Sequence, residues 1–220
     1  MINHRKGLIF DLLQCLVQRD LDYKTRDIRQ GRAQIRAALS SMRTRKVVLI
    51  LHSQGGIEGS SILDSLLSDL SSDIVAKLEI FTFGNAARRF SNPLLNSNPS
   101  VEATVEGEPP NGRGERVIKY IEHYANSEDF VANIGVLGFT SPSAQPYSDG
   151  NPFFGPVFTR KGSGHLLNMH YLDTMFPFVN GRVNDEGNEF MNCPIVKRYV
   201  TKSPNSGYCP PSNLIISILC

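Results

Sequence analysis

The sequence predicts an α/β protein: a mostly parallel sheet with helices on both faces. Three observations predict it. "KVVLILH", residues 46–52, is apolar at successive positions, as a strand buried on both faces requires. Further runs rich in β-branched and aromatic residues recur as "KLEIFTFGN", "RVIKYIEHYA" and "VFTRK". Segments with helical spacing separate several of them, and strands alternating with helices pair in parallel through right-handed crossovers.

Taken in order, "GLIFDLLQCLV" opens an amphipathic helix over about residues 7–19, with Asp11, Gln14 and Gln18 along one stripe. A second helix follows, with Ile28, Ile35, Leu39 and Met42 on its apolar face. The buried strand 46–52 then breaks at His-Ser-Gln-Gly-Gly. A helix resumes at once, with Ile62, Leu63, Leu66, Leu67 and Leu70 on one face. The strand "KLEIFTFGN" ends at Gly84. Residues 91–116, rich in Asn, Pro, Gly and Glu, read as a surface insertion. "RVIKYIEHYA" leads through "NSEDF" into one short helix, "VANIGVLGF". A loop precedes "VFTRK", and "GSGHLLNMHYLDTMF" is a turn entering a helix. The domain spans residues 1–178; the Asn- and Pro-rich segment 179–220 is a tail without an assigned structure.

A chain of 220 residues with 40% apolar and 20% charged residues can bury a core as one globular domain. A formal charge of +2 leaves no electrostatic footprint for nucleic acid. Cys15, Cys193, Cys209 and Cys220 form no CxxC pair and have no histidine at metal-finger spacing, so no metal site and no cofactor is expected. No Asn-x-Ser/Thr sequon is present, which together with the cysteine pattern favours a reducing, cytoplasmic setting. The polar residues in the first helix and the shortness of "NLIISILC" argue against a signal peptide and a transmembrane segment.

The break after residue 52 carries the chemistry. A serine hydroxyl is a poor nucleophile until a neighbouring base takes its proton. A sharp strand-to-helix turn presents such a hydroxyl, and it needs small residues beside it so that strand and helix approach closely. Ser53 is followed by Gly55, Gly56 and Gly59, whereas Leu51 stands where the full G-x-S-x-G pattern has its first glycine. Functional groups of parallel sheets gather at the carboxyl ends of strands. Asp129 follows "YIEHYA" and His165 follows "VFTRK", so both fall at the same sheet edge as Ser53. Glu128 is a rival acid with a longer side chain, and His170 a rival base placed inside the helix. His52 reads as packing behind the turn and His123 as a satisfied strand histidine. Phe153 and Phe154 read as core anchors or as the lining of an acyl pocket.

"LILHSQGGIEGS", "IFTFGNAARRF", "IEHYANSEDFVANIGVLGF" and "GSGHLLNMHYLDTMF" together resemble a lipase-like group of serine esterases within the α/β-hydrolases, from the first residues to about Phe178. The chain order Ser, Asp, His is the one found in that fold. The resemblance implies hydrolysis of carboxylic esters, lipid esters among them, with Ser53 as nucleophile, Asp129 as the acid orienting the imidazole and His165 as general base. Gln54 would supply the first oxyanion amide, and a loop after an early strand the second. Only "MINH" and two helices precede Lys46, so the opening strands of that fold are expected to be missing. Loss of one oxyanion donor typically costs about 3 kcal/mol. Two expectations follow from the short N-terminal side: an open edge beside residues 46–52 through which copies self-associate, and, as the alternative function, a catalytically dead or partner-binding remnant of the fold.

Overall fold

The structure, a computed structural model, describes residues 26–95, 115–140, 153–183, 195–196 and 213–218. The expected helix at 7–19, all four cysteines and most of the 91–116 insertion lie outside them. In chain order the first elements are α1 (Arg26–Ser40), β1 (Lys46–His52), α2 (Gly55–Asp69), α3 (Ser72–Val75) and β2 (Leu78–Phe83). They are followed by β3 (Tyr120–Asn126), α4 (Phe130–Ile134), α5 (Val136–Thr140) and β4 (Val157–Arg160). A π-helical turn (Leu167–Leu172) then runs into α6 (Asp173–Met175), before β5 (Phe178–Val179), β6 (Arg182–Val183), β7 (Ile195–Val196) and β8 (Asn213–Ile218).

The main sheet has the order β7-β4-β3-β2-β1-β8. β1, β2, β3 and β4 pair in parallel, β8 adds to β1 in parallel, and β7 closes the other side antiparallel to β4. The α/β class expected from the sequence is therefore the one observed. β5 and β6 form a separate antiparallel hairpin.

Two expectations are corrected by β8. The edge of β1 is not open: Lys46 to Leu51 face Asn213 to Ile218 in register, so β1 is paired on both sides. The basis for self-association through that edge is thereby removed. The segment beyond residue 178 also contributes to the fold, since it supplies both β7 and β8 to the main sheet.

Strand alternation divides the core. Val47, Leu49, Leu51, Leu78, Ile80 and Ile121 face one side and join α1, α2 and α5 in the larger apolar cluster. Phe83, Tyr124 and Phe158 face the other side and stack in sequence, at 5.2 and 5.1 Å between ring centroids. Tyr171 and Met175, from the π-helical turn and α6, cover them. Burying each such side chain contributes roughly 1.5–3 kcal/mol. Of the expected apolar faces, Ile62, Leu63 and Leu66 are buried, with Leu67 and Leu70 packed against the cluster. Met42 is not part of the core: α1 ends at Ser40 and Met42 is fully exposed. The short helix expected at 131–139 is two helices, α4 and α5, interrupted at Gly135, whose φ of −112° and ψ of −122° are not helical.

Candidate active site

The turn after β1 is backbone-strained at one residue. Ser53 has φ of 57°, in the left-handed region that non-glycine residues rarely enter. Such strain persists only where surrounding contacts over-determine it. Here the Ser53 amide donates to Phe83 O at 3.1 Å, and the Ser53 carbonyl accepts from Gly56 N at 3.0 Å and Ala86 N at 3.2 Å. Ser53 is thus tied to the ends of both β2 and α2. The departure at Leu51 has a local explanation: a Cβ at Gly59 would collide with the Leu51 side chain. The space that a glycine before the serine would have opened is instead left by a glycine on the helix.

Asp129 and His165 meet Ser53 as the strand ends suggested. His165 Nε2 lies 2.8 Å from Ser53 Oγ, and His165 Nδ1 lies 2.8 Å from Asp129 Oδ2. Because Asp129 can only accept, Nδ1 carries the ring proton and Nε2 presents a lone pair to the serine hydroxyl. His52, next to the serine, donates from Nε2 to His165 O at 2.7 Å, and the two imidazoles stack at 4.7 Å between centroids. The packing role expected of His52 is thus directed at the His165 ring and backbone.

Asp129 is buried and caps α4: its Oδ1 accepts from Val131 N at 2.9 Å and Ala132 N at 3.4 Å. Its Oδ2 accepts from His165 and also from Tyr171 Oη at 2.6 Å. Burial alone would push this carboxyl up, but the hydrogen bonds from His165, Tyr171 and the Val131 amide hold it below the usual carboxylate range. Glu128, the rival acid, is exposed. His170, the rival base, instead accepts at Nδ1 from Leu166 N, 2.9 Å away.

Three site residues carried no signal at the level of motif. Tyr171 sits on the π-helical turn, and a period of 3.6 does not place it. Asn126, buried at the end of β3, donates from Nδ2 to Gly164 O and His170 O, each at 3.1 Å, and accepts at Oδ1 from Arg160. A buried polar residue at the carboxyl end of a strand was the available cue. Gly84, at the end of β2, has φ of 52° and lies against Asp129 and His165. Gln54 is the N-cap residue of α2 and is buried, so its amide lies at the helix end beside Ser53.

His123 is satisfied, as expected. It donates from Nε2 to Phe154 O at 3.1 Å and accepts at Nδ1 from Thr82 Oγ1 at 2.8 Å. Burial pushes its ring down to about 4, so it stays neutral. Phe153 is a fully buried anchor packed edge-on against His123, whereas Phe154 lies under the Arg116 guanidinium at 4.1 Å. Among the described residues no cluster of metal-ligating side chains occurs, and no helix is long and apolar enough to cross a membrane.

No family model, curated protein or solved structure matches the chain. A serine on a strained turn, hydrogen-bonded to an imidazole lone pair that a buried carboxylate orients, can lose its proton to that imidazole as it attacks an electrophile.

Proposed function

We propose that this chain is a serine hydrolase that cleaves carboxylic esters, lipid esters included, through an acyl-enzyme on Ser53. The observation that carries the reading is the continuous hydrogen-bond chain from Ser53 Oγ through His165 to Asp129, with Ser53 at left-handed φ. Ser53 Oγ bonds to the ester carbonyl carbon while its proton passes to His165 Nε2. Collapse of the tetrahedral intermediate returns that proton to the leaving alkoxide and frees the alcohol. Water then attacks the acyl-enzyme and gives its proton to Nε2, which hands it to Ser53 Oγ as the carboxylic acid departs. Asp129 keeps Nδ1 protonated and stabilises the imidazolium. The Gln54 amide, at the N-terminal end of α2, is the first donor to the oxyanion, where the helix dipole also favours negative charge.

A competing reading, a catalytically silent binding protein of the same fold, is favoured by one observation. β8 occupies a flank of β1, on which the fold that the sequence resembles would place an early strand whose loop bears the second oxyanion amide. A fluorophosphonate probe separates the two readings. Labelling at Ser53 that disappears in Ser53→Ala is the expected result. A folded protein that takes no label, or labels equally as Ser53→Ala, overturns the hydrolase reading.

A further inference from the structure

Asp129 Oδ2 accepts two hydrogen bonds, from His165 Nδ1 at 2.8 Å and from Tyr171 Oη at 2.6 Å. The shorter one comes from a residue outside the serine–histidine–aspartate set. The Tyr171 hydroxyl has a fixed direction, because it also accepts from Asn126 N at 3.2 Å and so must send its own proton to Asp129. Burial and the Asp129 charge both push the phenol up, which keeps it a donor. The ring is fully buried, edge-on to Phe83 at 6.0 Å and to His52 at 6.4 Å. A π-helical turn holds it there, a local geometry that is rare and concentrates at functional sites.

We infer that Tyr171 is a positioning residue that divides the charge on Asp129 Oδ2 between a phenol and the imidazole, and so sets the strength of the His165–Asp129 hydrogen bond. This rests on the hydrolase reading for its consequence in turnover, but not for its consequence in the resting protein. An acceptor oxygen shared by two donors binds each less strongly than it would bind one alone. Tyr171 therefore tempers how firmly Asp129 draws on the Nδ1 proton. Ser53 Oγ, the His52 ring and Gly84 also lie against the His165 ring.

The proton on His165 Nδ1 reports this directly, because its NMR resonance moves downfield as its hydrogen bond strengthens; the signal is assigned by its loss in His165→Ala. In Tyr171→Phe it should move downfield. A ring-fluorinated tyrosine at position 171, a stronger donor that keeps the bond from Asn126 N, should move it upfield. With an activated ester as substrate, Tyr171→Phe should change kcat by about tenfold, the scale of one hydrogen bond, and leave KM unchanged. A resonance that stays in place, or moves the same way in both variants, overturns the inference, as does a rise in KM at constant kcat. Should Tyr171→Phe fail to fold, with the Asn126 amide left unsatisfied, the fluorinated protein decides alone: an upfield shift supports the inference and an unmoved signal ends it. Opposite shifts in a protein that takes no fluorophosphonate label would uphold the role of Tyr171 and sink the hydrolase reading.

Discussion

Gly84 leaves Asp129 no room for a side chain beside it: a Cβ on Gly84 would stand 2.7 Å from Asp129 Oδ2 and 3.0 Å from His165 Nδ1. With φ of 52°, the position is also strained for any residue with a Cβ. Gly84→Ala should therefore cost about 1–2 kcal/mol through the backbone alone. The larger effect should fall on activity, because displacing reacting groups by about 1 Å can cost about 10²-fold. Ester turnover and thermal unfolding of the same variant check both; a fully active, fully stable Gly84→Ala would contradict the packing.

The two histidines after β4 have separate tasks. If Ser53 is the nucleophile proposed above, His165→Ala should lower kcat by at least about 10⁴-fold, since the serine would lose its base. His170→Ala removes the acceptor for Leu166 N and should cost less than about tenfold. Parallel kinetics on the two variants test the ranking, and the reverse order would move the base.

Asp129→Asn retains an oxygen able to cap α4 but loses the charge facing Nδ1. On the proposed hydrolase reading turnover should fall by about 10⁴-fold, as when an orienting carboxylate is made neutral elsewhere. Stability should change with pH in a definite direction. The Asp129 carboxyl is held below its ordinary value of 3.8, so its contribution is present above that value and lost as pH falls through the lower, folded one. The gap in stability between native protein and Asp129→Asn should be widest near neutrality and shrink below about pH 4. Denaturant titrations across pH measure it.

Glu58 should behave oppositely. It is 3% exposed on α2, and burial, with Asp27 on α1 nearby, raises it from 4.5 to about 7. A raised carboxyl favours the fold below its unfolded value, and that advantage is lost as pH rises through the folded one. A displacement of this size corresponds to roughly 3 kcal/mol. The contribution of Glu58 should therefore be less favourable at pH 8 than at pH 5. Glu58→Gln should flatten that dependence and gain stability on the alkaline side, and equal pH dependence in both proteins would refute the assignment.

Much of the candidate site's geometry was legible because its signals are local. An apolar run, a serine followed by glycines and a helix fix Ser53. Strand-forming runs ending near Asp129 and His165 fix the edge at which they sit, as parallel pairing then brings those ends together. What stayed hidden depends on geometry beyond the local pattern. Tyr171 reaches Asp129 from a π-helical turn, which ordinary helical periodicity does not mark. The glycine expected before Ser53 is replaced by an arrangement involving Gly59 and Leu51 across two elements. Met42 fits the apolar spacing of α1 but lies beyond the last turn, where spacing has no bearing. The place of β8 is the least local feature of all, since an apolar run does not say which strand it will join.

That last pairing imposes a schedule on the nascent chain. A ribosome releases β1 well before its neighbour β8, which follows every other described element. Through that interval the apolar flank of β1 has no mate, the condition under which new chains meet chaperones or stick to one another. Contacts this distant in sequence also form slowly, because a long loop must close before they bring any gain. The strand that leads into Ser53 therefore receives its last backbone partner only when residues 213–218 have been synthesised.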